Sequence, residues 1–138
     1  MKLKKYSLFL IIAVFVVISA CSKNTDPKRF EKIVTSSSWR VGKAQINDKV
    51  KTGDFNNYIF HFKSNKDLVI IKDLDTTKGS WTRGNDKKPL LLYMSISQNY
   101  PKFIVFDDDW VVTYLTKDEF RLERNGGTAD EFIFRKKI

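Results

Sequence analysis

Past position 38 the chain alternates between apolar and polar residues. Tyr58, Phe60 and Phe62 occupy every second position, with Ile59, His61 and Lys63 between them. A strand turns the first set to one face and the second set to the other. The same two-residue period returns at Trp81, at Leu90, Leu92 and Met94, at Phe120 and Leu122, and at Phe132 and Phe134. Short runs of this kind, spaced about ten residues apart, predict an antiparallel all-β domain. The pattern predicts eight strands, over 38–46, 56–63, 67–74, 78–83, 89–97, 109–115, 119–124 and 130–136. Between them stand Asn47-Asp48, Asn56-Asn57, Ser64-Asn65, Asp75-Thr76-Thr77, Gly84-Asn85-Asp86, Lys117-Asp118 and Asn125-Gly126-Gly127. These residues accept positive φ or bond their own backbone in turns. Links so short join sequence neighbours as hairpins, giving an up-and-down meander that hides its edges by closing into a barrel. Strands 67–74 and 89–97 are apolar at successive positions, which predicts cover on both faces or contact with a helix.

Three segments depart from this period. Pro27 to Val34 predicts one short helix, with Asp26 as its N-cap and Phe30, Ile33 and Val34 on one face. Asn99 to Asp108 carries Pro101 and ends in successive aspartates, while Phe103, Ile104, Val105 and Phe106 within it suit a short strand or a plug for the barrel end. At the N-terminus, Lys2, Lys4 and Lys5 precede an apolar run from Leu8 to Ile18, the length of a signal-peptide core and not of a membrane span. That run ends in Ile18-Ser19-Ala20-Cys21, which resembles the lipobox of bacterial lipoproteins, where small residues precede an acylated cysteine.

The resemblance implies that residues 1–20 are a signal peptide and that Cys21 becomes a lipidated N-terminus. Residues 21–37 then form a tether and short helix, and 38–138 the barrel domain. One fatty chain binds a membrane reversibly, whereas the two or three of such lipoproteins, palmitate among them, hold a protein in place. Ser22 stands where some bacteria use an acidic residue for inner-membrane retention, so the resemblance favours the outer membrane and leaves its face open.

Charge and cysteine usage narrow the picture further. The formal charge is +9, but the three leader lysines leave with the signal, so 25 basic residues against 16 acidic become 22 against 16. The remaining lysines are scattered through loops and not clustered with aromatics, which argues against nucleic acid. Cys21 is the only cysteine, so the fold has no disulfide, no thiolate zinc site and no thiol nucleophile.

The spaced aromatics also resemble the small lipocalin-like lipoproteins common in Bacteroidetes. The likeness runs from Trp39 through Tyr58-x-Phe60-x-Phe62, Gly79-x-Trp81, Leu90-x-Leu92, Trp110-x-Val112 and Phe120-x-Leu122 to Glu131-Phe132-x-Phe134-Arg135-Lys136. Ser37-Ser38-Trp39 lacks the glycine of the Gly-x-Trp found in long-chain lipocalins. The resemblance therefore implies a lipocalin-like barrel without a transport lipocalin's cargo.

Catalytic chemistry finds little support. His61 is the only histidine and lies opposite the Tyr58, Phe60, Phe62 face, and nothing in the sequence points to the partners that a Ser-His-Asp or Cys-His unit would need. Asp107, Asp108 and Asp109 lack the alternate-ligand spacing and glycine of a calcium loop and read as a solvated acidic turn. Glu119 and Glu123 fall on the outward face with Arg121, which predicts cross-strand charge pairing and not a facing carboxylate pair. What remains is the inward aromatic set. Small barrels either fill their interiors or hold one small ligand, and bulky rings favour filling. If a pocket exists, Trp39, Tyr58, Phe60, Phe62, Trp81, Leu92, Phe120 and Phe132 line it. The expectation is a membrane-anchored, non-enzymatic protein without a cofactor, binding a small apolar ligand at the open end of its barrel. The alternative is an envelope interaction module, an assembly accessory, inhibitor or immunity-type protein, that works through exposed loops around a filled core.

Overall fold

The structure, a computed structural model, describes residues 26–84 and 88–138. Cys21 and the lipobox lie outside the described residues. Nine strands run in chain order: β1 (Trp39–Ile46), β2 (Lys49–Val50), β3 (Ile59–Phe62), β4 (Asp67–Lys72), β5 (Asp75–Arg83), β6 (Leu91–Ile96), β7 (Asp108–Leu115), β8 (Glu119–Arg124) and β9 (Glu131–Lys136). Each of β3 to β8 pairs with the next in antiparallel register, and β9 returns to pair with β1, as in Ala44 opposite Phe132. Eight strands thus close a barrel, and β2 is a two-residue ribbon hung on β1.

Helix α1 (Pro27–Thr35) precedes the barrel. Asp26 caps it, its side chain accepting a hydrogen bond from the Lys28 amide at 3.0 Å, and Pro27 sits where a missing N–H costs nothing. Phe30 and Val34 are buried, and Phe30 meets Phe120 edge-on at 5.8 Å between ring centroids. The helix therefore stoppers one end of the barrel. The opposite end is closed by two 3-10 segments, Thr52–Phe55 and Pro101–Phe106, which bring in Phe55, Phe103 and Phe106.

Several expectations are corrected. The turn expected at Asp75-Thr76-Thr77 lies two residues earlier, where Asp73 takes φ 53° and Lys72 pairs with Asp75. Asp75, Thr76 and Thr77 belong to β5. The strand expected over 56–63 shrinks to Ile59–Phe62, because Asn57 takes φ 68° and leaves the extended region. Segment 101–106 is a helical plug, not a strand. The outward residues of β4 and β6, Val69, Ile71, Leu91 and Tyr93, are half-buried with no second layer over them among the described residues, and Leu74 at the β4–β5 turn is fully exposed.

Local chemistry explains the hairpins. Asn47 and Asp48 both take positive φ, 51° and 61°, between the pairs Ile46–Lys49 and Gln45–Val50. This is the two-residue loop whose twist matches its flanking strands. At Gly79 a Cβ would fall 2.5 Å from the Ser95 carbonyl oxygen, so β5 and β6 approach there as only glycine allows. The buried apolar cluster of the described residues is drawn from residues 30 to 134.

Candidate binding site

Of the eight expected pocket residues, seven are buried in the core: Trp39, Phe60, Phe62, Trp81, Leu92, Phe120 and Phe132. They face inward as the alternation predicts, but they spend their surface on each other. Trp39 stands edge-on to Phe120 at 4.8 Å, Phe62 to Trp81 at 5.6 Å, Phe60 to Phe134 at 5.1 Å, and Phe132 to Trp110 at 5.2 Å. Phe120 and Phe134 stack in parallel at 4.8 Å. The indole N–H groups are satisfied as well: Trp39 donates to the Val34 carbonyl, Trp81 to that of Lys63 and Trp110 to that of Phe106, at 3.0, 3.0 and 3.1 Å. No buried side-chain polar atom among the described residues lacks a partner. The interior is a ladder of rings from α1 to the 3-10 plug.

Tyr58 is the exception. It lies before β3, half-buried at the plugged end, with its ring edge-on to Phe103 at 5.0 Å. The ammonium groups of Lys72 and Lys102 each lie 4.9 Å from its ring centre, and Lys102 Nζ donates to its hydroxyl at 3.4 Å. Beside it runs an open groove of about 320 Å³ lined by Tyr58, Thr77, Tyr100, Pro101, Lys102 and Phe103, with Asp75 and Asn99 at its edge. Tyr58 and Phe103 give the groove an aromatic wall, and cation–π contact holds the two lysines at the Tyr58 ring. Sequence alternation placed Tyr58 among the inward residues but missed Tyr100 and Lys102, since no local period links them to it.

The remaining candidates sit elsewhere. A second depression, about 370 Å³, follows the seam between β1 and β3 and touches Val41, Phe55, Asn57 and Ile59. His61 is half-buried, with Ser38 Oγ 3.2 Å from its Nδ1. Burial, and then the Lys63 and Lys137 ammonium groups, push its pKa below the ordinary imidazole value. A histidine held neutral beside a serine is the beginning of a nucleophile pair, but the cations around it are opposite in sign to the carboxylate that would orient it. At the acidic turn Arg124 holds Asp108 and lies 2.9 Å from Asp130, while the Asp109 amide donates to Asp108 Oδ1 at 2.7 Å. No group of three ligating side chains that could hold a metal is found among the described residues. Glu119 pairs with Arg121 at 3.0 Å and with its cross-strand partner Arg135 at 3.3 Å, the charge pairing that alternation predicts.

Comparison with solved structures decides the fold. A lipocalin-like protein from Bacteroides uniformis matches with a TM-score of 0.54 at 16% identity, over 76% of this chain and 99% of that one. The fold is a lipocalin-like barrel. An uncharacterized protein from Bacteroides eggerthii matches at a TM-score of 0.50 and 16% identity, over 73% of this chain and 98% of that one. No protein-family model and no curated protein matches the chain. In this lipocalin-like barrel the interior is filled and the open groove lies on the rim. Among the described residues no helix is long and apolar enough to cross a membrane.

Proposed function

We propose that the protein is a non-enzymatic binding module of the cell envelope, anchored through acylated Cys21, and that it binds at the Tyr58–Phe103 groove on the rim of its barrel. The observation that carries this reading is the ring ladder: Phe55, Phe60, Phe106, Phe132 and Phe134 occupy the space that a cargo-carrying barrel leaves open. The barrel then serves as a rigid platform, and its occupant is a small apolar group seated against Tyr58 and Phe103. The lipobox Ile18-Ser19-Ala20-Cys21 supports the anchor, and Ser22 in place of an acidic residue after it supports the outer membrane.

Two linked measurements test the reading. Residues 22–138, weighed by native mass spectrometry after purification from a periplasm, are expected at the apo mass. In cells, a photo-reactive residue at Asn99 of the lipidated protein is expected to trap a defined molecule or envelope protein, and Tyr58→Ala to abolish the adduct. A discrete co-purifying mass that Tyr58→Ala leaves in place would put the cargo inside the barrel and sink the groove reading.

A further inference from the structure

The two ends of the barrel differ in charge. Among the described residues, the end closed by α1 is built from segments 26–38, 63–66, 88–90, 116–118 and 136–138, which hold nine lysines and arginines against three aspartates and glutamates. The plugged end, from segments 47–58, 73–74, 97–107 and 125–129, holds three against four. Sequence order hides this, because the topology gathers lysines from five separate segments onto one face.

Most of that positive charge is uncompensated. Glu31 is committed to Lys66 and to Arg83, the latter at 2.8 Å. Lys32, Lys63, Lys88, Lys117, Lys136 and Lys137 are exposed, and none stands in an ion pair among the described residues. The lysines used elsewhere differ: Lys43 is paired with Glu131, and Lys72 and Lys102 lie on Tyr58. His61 lies beside Lys63 and Lys137 on this face; burial, and then both ammonium groups, disfavour its protonation.

We infer that the α1 end is an electrostatic docking surface for an anionic lipid bilayer, on which the barrel stands end-on with its groove pointing away. The charge is of the sign and density that anionic headgroups attract, each Lys or Arg near such a surface strengthening binding by about fivefold. Geometry favours a bilayer over a soluble polyanion. Only four residues lie between Cys21 and Asp26, and the five steps from one to the other reach at most about 18 Å, so acylated Cys21 brings this face to the headgroups. That direction rests on the anchor reading, whereas the charge asymmetry stands without it. Among the described residues Ile138 is the exposed large apolar side chain of this face, so contact is superficial and salt-sensitive.

The test uses residues 22–138 without lipid, which keep every residue of the buried cluster, so a failure bears on this face alone and leaves the anchor and groove readings standing. Co-sedimentation is measured with vesicles of phosphatidylcholine alone and of phosphatidylcholine mixed with phosphatidylglycerol. The expected result is binding to the mixed vesicles only, lost as salt is raised. Lys63→Glu with Lys117→Glu and Lys137→Glu is expected to weaken it by about a hundredfold or more, and Lys49→Glu with Lys51→Glu at the far end to leave it unchanged. All five positions are exposed. The salt response of the unaltered domain tests the face even where a variant folds poorly. No binding to phosphatidylglycerol vesicles, equal binding to both vesicle types, or equal loss in the two variants would overturn the inference.

Discussion

At the scale of single residues, Phe106 is the keystone of the plugged end. Its ring centre lies 4.4 Å from that of Phe132, 5.3 Å from those of Phe55 and Phe60 and 6.1 Å from that of Phe134, and it is fully buried. Phe106→Ala is expected to lower stability by about 3–5 kcal/mol in urea denaturation, the range for a buried phenylalanine whose site cannot collapse. Because the hole is lined by rings, benzene should raise the melting temperature of the variant and leave that of the parent unmoved. Glu31 illustrates a different control. Hydrogen bonds from Lys66 and then Arg83 hold its carboxyl below the usual range. The stabilisation is therefore present above the unfolded carboxyl value and lost as pH falls through the folded one. Glu31→Gln should cost about 0.5–1 kcal/mol at neutral pH, small because all three groups retain solvent. Its stability curve should merge with the parent's in acid, once the pH has fallen below the lowered folded-state carboxyl value. A gap that persists unchanged in acid would assign the effect to packing.

At the scale of elements, the alternation of Phe60 and Phe62, of Leu90, Leu92 and Met94, and of Phe132 and Phe134 reads directly onto the inner face, because β geometry leaves a side chain two choices. The helix was equally legible, since Asp26-Pro27 is a local start signal. The β4–β5 turn was not. Asp75-Thr76-Thr77 has turn chemistry but also the β-branched residues of a strand, while the real hairpin contains Leu74, whose apolar side chain disguised it. The plug was half legible: Pro101 and the four residues Phe103 to Phe106 announced an interruption, yet no local rule separates a strand from a 3-10 turn there. The groove could not be read at all, because Tyr58, Thr77 and Lys102 come from three segments joined only by barrel closure. The basic face escaped for the same reason.

At the scale of the whole molecule, closure is uneven. β1 is laddered to β9 through six paired positions from Trp39–Lys136 to Gln45–Glu131, but to β3 through Trp39–Phe60 alone. After β1 the chain spends residues 47–58 on β2 and the 3-10 turn that carries Phe55 inward, so β3 arrives late and meets only the start of β1. What holds this flank is local: the Ala44 amide donates to Thr52 Oγ1 at 3.0 Å and the Lys51 amide to the Ala44 carbonyl at 2.8 Å. The seam depression lies over that gap. Opening there exposes Phe55 and a few backbone groups, whereas opening β8 breaks ladders on both sides and unstacks Phe120 from Phe134. Native-state hydrogen exchange should therefore find β8 and β9 amides exchanging only by global unfolding. Those of segment 51–58 and the β3-facing side of β1 should exchange through a local opening of much lower free energy. Uniform protection around the barrel would mean that the Thr52–Phe55 turn closes the seam as firmly as a strand. If the seam does open first, it is also the path by which a small apolar solute could reach a Phe106→Ala cavity, and the rate of its entry should follow the exchange of the 51–58 amides.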